Sequence, residues 1–192
     1  CAGLVDFSPD IRDSLGSNVD GAINAAAIAE SCDHAALLHI STCYVAGNRD
    51  GFVEESLNPD LAPNGEPFDV QAEYDHLIAV IADIESTVDT EESQARIREK
   101  AMDRIRDRGL DESNATLVRN MTHRQANQEL KKRMGDMGQE RAEYWGFPNT
   151  YTFSKFIAEA MLAKRGDALR WSTLRPAIVE SAMEYPFPGW NE

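Results

Sequence analysis

Residues 35–47 are Ala-Ala-Leu-Leu-His-Ile-Ser-Thr-Cys-Tyr-Val-Ala-Gly, a short apolar run followed by a polar pair and a turn. The run over residues 35–40 is typical of a buried strand, because strands of parallel sheets are covered on both faces. Ser41 and Thr42 would then lie at its carboxyl end, and in open α/β sheets ligands bind in the crevice outside those ends. Hydroxyls that merely cap the following turn are an equally good interpretation.

The sequence on both sides of this strand predicts a helix–strand–helix–strand order. Residues 17–31 carry apolar and small side chains at helical spacing, and residues 151–165 do the same before Gly166, a typical helix-ending residue. Residues 169–175 alternate like a strand, and Pro176 ends it. Helices that alternate with apolar strands indicate an α/β fold with a parallel sheet and crossover helices.

The charge changes sign in the middle of the chain. Residues 50–92 hold 13 acidic and no basic residues, whereas residues 96–133 hold 11 basic and 6 acidic residues. The sparse apolar residues here predict two or three amphipathic helices outside the sheet, because so long a loop without structure is uncommon. We interpret residues 50–144 as a mostly helical, solvated insertion. The alternative is that its basic stretch binds an anionic ligand or a protein partner.

The composition excludes several classes of function. The chain has 192 residues, about one domain, with 42% hydrophobic and 27% charged residues, and 19 basic against 33 acidic residues give a net charge of −14. So negative a surface repels nucleic acid and anionic membranes. No segment is apolar enough for a membrane span. Three cysteines without paired spacing are typical of reduced cytoplasmic thiols, and no histidine has ligand-spaced neighbours that predict a metal site.

Two side chains suited to acid–base chemistry share one face of the second predicted helix. Tyr151 and Lys155 are four residues apart, which places both on the same side. The pKa of a free phenol is near 10, and a neighbouring ammonium lowers it. The spacing alone also describes an ordinary surface pair. The order along the chain is more specific: a strand-end hydroxyl, then the Tyr-x-x-x-Lys helix, then a strand that ends in Arg175-Pro176.

In this order the sequence resembles the fatty acyl-CoA reductases, which are extended short-chain dehydrogenase/reductases also described as male-sterility-like NAD-binding domains. The matching phrases cover about half of the chain, at its two ends. They are Cys1-Ala2-Gly3 with Phe7, Asn18-Val19-Asp20-Gly21, residues 39–45, residues 148–155, and residues 174–179 running into Pro186-Phe187-Pro188-Gly189-Trp190. The resemblance implies an incomplete Rossmann-like, doubly wound parallel sheet with a large helical insertion. Residues 1–192 would form one partial dinucleotide-binding reductase domain that lacks its N-terminal glycine-rich part.

The resemblance also implies roles for three candidate catalytic residues. Thr42 would orient and polarise the substrate carbonyl. Tyr151 would donate a proton to the developing alkoxide. Lys155 would lower the pKa of Tyr151 and bind the hydroxyls of the nicotinamide ribose.

Further residues are implied for cofactor binding and support. Ala2 and Gly3 would lie beside the adenine and ribose of the cofactor, and Tyr151 and Lys155 beside its nicotinamide ribose. The backbone of Pro176, Ala177 and Ile178 would lie beside the nicotinamide. Asn18 would support the site, although a helix N-cap is an equally good interpretation of this residue.

The implied activity is NADPH-dependent reduction of a long-chain acyl-CoA to an aldehyde or alcohol, in the cytoplasm, with a peripheral membrane location left open. Trp145 and Phe147 would line an acyl tunnel or pack in the core.

The glycine-rich turn that cradles the pyrophosphate is absent from this sequence, as is the residue that distinguishes NAD from NADP. Because the chain also opens on Cys1, we expect an internal piece of a longer protein that by itself binds dinucleotide weakly or not at all.

Two alternative functions stay open. One is another extended short-chain dehydrogenase: a carrier-linked thioester reductase, a steroid dehydrogenase or a sugar epimerase. The other is a noncatalytic truncated domain that binds a partner.

Overall fold

The computed structural model describes residues 3–7 and 9–190, without the side chain of Ala168. The helices are α1 (Ile11–Ser14), α2 (Gly21–Glu30), α3 (Val70–Val88), α4 (Glu91–Asp107), α5 (Ala115–Tyr144) and α6 (Thr150–Lys164), and the strands are β1 (Leu37–Ile40) and β2 (Trp171–Leu174). A π-helical turn, Leu15–Asp20, joins α1 to α2, and 3-10 helices cover Cys43–Ala46 and Gly166–Ala168. The described residues therefore form a mostly helical α/β fold with a small sheet.

The sheet is parallel, as the sequence predicts. Leu37 lies opposite Trp171 and Ile40 opposite Leu174. The expectation that residues 35–40 form a strand buried on both faces is wrong, because Leu38 on β1 is 59% exposed. Within the described part of the chain, helices α2 and α6 cover the opposite face of the sheet, which carries Leu37 and Trp171.

Helix α6 positions the candidate site, and both of its ends agree with the sequence prediction within one residue. The side chain of Asn149 caps its start by accepting a hydrogen bond from the Thr152 backbone nitrogen at 2.9 Å. At the other end Gly166 has a φ of +59°, a left-handed conformation that glycine adopts without strain. Nearly every side chain between these ends is buried, so the helix is held firmly in the core.

The aromatic core packs against α6. Phe147 is fully buried, and its ring centroid lies 5.5 Å from that of Phe153 and 5.0 Å from that of Phe156. Trp145 packs edge-on against Phe68 at 4.9 Å. Of the two interpretations of Trp145 and Phe147, packing in the core is therefore the one that the contacts support.

Three helices, α3, α4 and α5, occupy most of residues 50–144, in agreement with the predicted number. A buried ion pair joins two of them: Glu73 on α3 is 4% exposed, and its carboxylate accepts hydrogen bonds from Nε of Arg141 on α5, at 2.8 Å, and from Nη2 of the same residue. Arg106 and Arg133 of the basic stretch pair with acidic residues on their own helices, and Lys100 on α4 pairs with Glu129 on α5. That this region is an insertion within a dinucleotide-binding domain stays a prediction.

Candidate active site

Lys155 reaches from α6 to the carboxyl end of β1. Its Nζ donates a hydrogen bond to the backbone oxygen of Ile40 at 2.5 Å, and the residue is 8% exposed. Burial lowers the pKa of Lys155, and the negative charge of Glu159 opposes that change. An ammonium has three donors, so within the described residues two N–H groups remain for a ligand at this edge of the sheet.

Thr42 lies two residues beyond Ile40 and is 3% exposed. Its Oγ1 accepts a hydrogen bond from the backbone nitrogen of Tyr44 at 3.3 Å, so the turn-capping interpretation is confirmed. Capping uses a lone pair only, and the hydroxyl proton stays available to a carbonyl oxygen. The neighbouring Ser41 hydroxyl is buried and has no hydrogen-bond partner among the described residues.

Tyr151 is half-buried one turn before Lys155, and its ring meets that of Phe7 edge-on at 6.2 Å. Burial raises the pKa of Tyr151. The expectation that Lys155 lowers this pKa is therefore not met in this structure, because desolvation of the phenolate is the dominant effect. A raised pKa keeps the phenol protonated at neutral pH, which suits a proton donor better than a proton acceptor.

Asn18 connects the N-terminal segment to α6. Its side chain binds both backbone groups of Leu4, accepting from the nitrogen at 2.9 Å and donating to the oxygen at 3.1 Å. Its Nδ2 also donates to Oγ of Ser154 at 2.9 Å, and that hydroxyl donates to the backbone oxygen of Tyr151 at 2.8 Å. Asn18 lies inside the π-helical turn, so its interpretation as a helix N-cap is wrong. Its amide holds residues 3–4 against the helix that carries Tyr151.

The predicted cofactor residues at the N-terminus are described in part. Gly3 borders a cleft of about 480 Å³ between the N-terminal segment and the helical residues 12–17. A Cβ atom at Gly3 would lie 3.3 Å from Oδ1 of Asn18, which favours the absence of a side chain there. Ala2 lies outside the described residues.

The segment 176–178 adjoins the same edge of the sheet. The backbone nitrogen of Cys43 donates to the oxygen of Pro176 at 3.0 Å, and that of Ser41 donates to the oxygen of Leu174 at 2.8 Å. The parallel pairing thus continues beyond both strands, which brings Pro176 next to Thr42 in space. Ala177 and Ile178 are exposed on this edge, and Ile178 is 69% exposed.

Comparison with known proteins places the chain in a family. The family model described as male sterility protein, an NAD-binding domain, matches residues 1–192. The chain belongs to this family. It is 30% identical over 195 residues to fatty acyl-CoA reductase 8 of Arabidopsis thaliana. It is 28% identical over 199 residues to the alcohol-forming fatty acyl-CoA reductase of Simmondsia chinensis. Each match covers 100% of this chain and 32% of the relative. A match to the chloroplastic fatty acyl-CoA reductase 2 of Arabidopsis thaliana is 42% identical over 67 residues, 34% of this chain and 11% of that protein. The chain spans about a third of the length of the curated relatives that it matches.

Two further residues of this male sterility domain meet behind the candidate site, and sequence reasoning gave neither a role. Glu159 on α6 is fully buried and binds Arg175, the residue that follows β2. The signal in the sequence is a carboxylate four residues after Lys155, on a helix whose neighbouring positions are apolar. A charge at such a position needs a partner, since an isolated buried ion is very costly.

Residues 3–7 and 9–190 contain neither a metal-ligand cluster nor a membrane-spanning helix. This part of the male sterility domain holds no cluster of three or more His, Cys, Asp or Glu residues that could bind a metal ion. None of its helices combines the length and apolar character needed to cross a lipid bilayer.

Proposed function

We propose that this chain forms the nicotinamide side of a fatty acyl-CoA reductase that reduces a long-chain acyl-CoA with NADPH to an aldehyde or alcohol. One observation carries the proposal: the ammonium of Lys155 binds the end of β1 beside the buried Thr42 hydroxyl, and Tyr151 precedes Lys155 by one helical turn. Family membership supports a nicotinamide cofactor, and the names of the relatives support an acyl-CoA substrate. NADPH rather than NADH, a long acyl chain and the cytoplasmic location rest on the resemblance.

The fold fits a part of a doubly wound sheet. β1 and β2 would be neighbouring strands of a Rossmann-type sheet, with residues 50–144 inserted between them. The exposed Leu38 and Leu174 would lie on the face that further helices cover in such a fold. Residues 1–192 would be one reductase domain without its glycine-rich turn.

The described residues fit the nicotinamide half of the cofactor. The two spare N–H donors of Lys155 suit ribose hydroxyls, and the cleft beside Gly3 suits the adenine side. The exposed backbone after Pro176 lies at the same edge and suits a flat carboxamide ring. When bound, a reduced nicotinamide supplies a hydride.

The side chains of this chain would position the carbonyl and stabilise the charge that develops on it. The Thr42 hydroxyl donates a hydrogen bond to the carbonyl oxygen, which orients it and polarises the carbonyl. In the reduction of the thioester, the oxyanion re-forms the carbonyl as the C–S bond breaks, and CoA leaves as its thiolate, so the product is the aldehyde. In the reduction of the aldehyde, Tyr151, whose raised pKa keeps its proton at neutral pH, donates that proton to the alkoxide oxygen. Lys155 binds the ribose and adds a positive charge near the developing anion. Catalysis would therefore consist of orientation and electrostatic stabilisation.

The experiment uses the protein encoded by the complete gene. It is incubated with palmitoyl-CoA and either NADPH or NADH, and the lipid products are identified by gas chromatography and mass spectrometry. We expect hexadecanal or hexadecanol with NADPH. Thr42→Val keeps the shape of the side chain but removes the hydroxyl, and it should lower kcat by about 100-fold.

Thr173→Val is the matched control, because the Thr173 hydroxyl on β2 is buried without a hydrogen-bond partner among the described residues. It should leave turnover unchanged. Wild-type protein that makes no long-chain aldehyde or alcohol would contradict the proposed substrate. Turnover of a steroid or a nucleotide sugar would favour the other short-chain dehydrogenases. A complete protein that binds neither NADPH nor NADH would favour the noncatalytic domain.

A further inference from the structure

A buried carboxylate lies directly behind the candidate active site. Glu159 follows Lys155 by one turn of α6, and its side chain is 0% exposed. Arg175 binds it with two nitrogens: Nε lies 3.0 Å from Oε1, and Nη2 lies 2.5 Å from Oε2. Two-pronged arginine–carboxylate pairs fix orientation as well as distance. The pair therefore joins the end of β2 to the helix that carries Lys155.

Arg175 is also held on its other side. Its Nη1 donates to the backbone oxygen of Ser56 at 3.1 Å, in the acidic loop that precedes α3. The next residue, Pro176, accepts the backbone hydrogen bond from Cys43 beside Thr42. Arg175 thus stands at the junction of three segments, where the predicted nicotinamide-binding segment 176–178 begins.

The same carboxylate sets the charge around Lys155. Among the described residues, two groups interact electrostatically with Lys155: Glu159 on its own helix and His39 on β1. Tyr151 lies one turn earlier on α6, and Arg175 binds Glu159. Burial, and then the charge of Lys155, lower the pKa of His39 to about 4, so this histidine is neutral at pH 7. Tyr151 is neutral as well, because burial raises its pKa. Glu159 is the anion among these neighbours, and it raises the pKa of Lys155 against the effect of burial.

A role in stability alone explains this arrangement poorly. The desolvation of two buried charges commonly offsets their attraction, and an apolar pair of the same size is often as stable. Stability alone therefore does not explain why a buried ion pair, Glu159–Arg175, lies between Lys155 and the 176–178 segment.

We propose that Glu159 and Arg175 are positioning residues of the reductase: Glu159 keeps Lys155 protonated for the cofactor ribose, and Arg175 fixes the 176–178 segment beside the nicotinamide. The proposal rests on the proposed function. Neither side chain touches substrate or cofactor. Both act through Lys155 and through the backbone of Pro176.

The first test removes the negative charge and keeps the shape. In the complete protein, ¹³C-labelled lysine is titrated by nuclear magnetic resonance, and the Lys155 signal is assigned by its loss in Lys155→Arg. Glu159→Gln should lower the pKa of Lys155 by about 1, because a neighbouring opposite charge favours the ionised form. The alkaline limb of the kcat profile should move to lower pH in parallel. Asp136→Asn is the control, since Asp136 forms an exposed ion pair with Lys132 on α5 and should change neither quantity.

The second test removes the arginine. Arg175→Met should raise the dissociation constant of NADPH, measured by fluorescence titration, by about tenfold, because hydrogen bonds to charged groups contribute on this scale. The KM for acyl-CoA should not change. The double variant Glu159→Leu/Arg175→Met removes both buried charges together and provides folded protein if a single variant unfolds. It should show both the lower Lys155 pKa and the weaker NADPH binding.

The outcomes separate this inference from the proposed function. Wild-type protein that binds NADPH but reduces no acyl-CoA contradicts the proposed substrate, while the lysine titration and the NADPH titration still test the pair. An unchanged pKa of Lys155 in folded Glu159→Gln or double-variant protein overturns the role of Glu159. Unchanged NADPH affinity in folded Arg175→Met or double-variant protein overturns that of Arg175.

Discussion

Replacing Asn18 by alanine should release residues 3–4 from the helix that carries Tyr151. Asn18 is 3% exposed and makes two hydrogen bonds to the backbone of Leu4, at 2.9 and 3.1 Å. With a net contribution of about 1 kcal/mol for each bond, the segment loses about 2 kcal/mol of local stability. About 1.4 kcal/mol corresponds to a factor of ten, so the amide of Leu4 should exchange with solvent about thirtyfold faster.

Hydrogen–deuterium exchange at residue resolution measures this change. Asn24→Ala is the matched control, because Asn24 is an exposed asparagine on α2 close to Asn18 in the chain. It should leave exchange at Leu4 unchanged. Equal exchange at Leu4 in wild type and in folded Asn18→Ala protein would refute the reasoning. The NADPH affinity of Asn18→Ala should also fall, since Gly3 adjoins the released residue.

Three further substitutions test the packing and the electrostatics by thermal or urea unfolding. Gly47→Ala should destabilise the protein by more than Gly51→Ala, because both glycines have positive φ, +72° and +88°, but only at Gly47 would the new Cβ lie 2.4 Å from Cβ of Pro63. Phe147→Ala should cost about 3–5 kcal/mol, since it removes a fully buried ring from the core. His39 has a pKa of about 4 when folded and 6.5 otherwise, so its unfolded form binds the proton more tightly. The neutral His39 therefore contributes about 3 kcal/mol to the free energy of unfolding. This contribution is complete above pH 6.5 and is lost as the pH falls toward 4.

Each of these predictions has a contradicting result. Equal stability of Gly47→Ala and Gly51→Ala would show that the loop at Gly47 moves to accept a side chain. Phe52→Ala is the control for Phe147, because Phe52 is 92% exposed and should be neutral. For His39 the comparison is His39→Gln, which should lose less stability than wild type between pH 7 and pH 5. The same loss in both proteins would place the acid sensitivity elsewhere.

The order of the elements and the helix of Tyr151 and Lys155 were predictable from local sequence. A short apolar run, an interrupting proline and helical periodicity are local signals, and each was present around Thr42 and Tyr151. The number of helices in residues 50–144 was predictable for the same reason. The exposure of Leu38 was not predictable, because it depends on which segments pack on each face of the sheet.

The side-chain environment of the site was harder to predict. Sequence spacing showed that Lys155 could approach Tyr151 but not that its ammonium would bind the backbone of Ile40, 115 positions earlier. The same holds for Asn18 and Ser154, which are 136 positions apart. Burial reverses the expected direction of the Tyr151 pKa, and the extent of burial is a property of the packed structure.

The role of Tyr151 as the proton donor is the central claim, and turnover of Tyr151→Phe in the complete protein tests it most directly. Phenylalanine keeps the ring and its contact with Phe7 but removes the proton. With NADPH and palmitoyl-CoA at saturation, kcat should fall by about 100-fold to 10,000-fold, the usual contribution of a general acid. Tyr144→Phe, at an exposed tyrosine, should match wild type. Wild-type turnover by folded Tyr151→Phe protein would contradict the account.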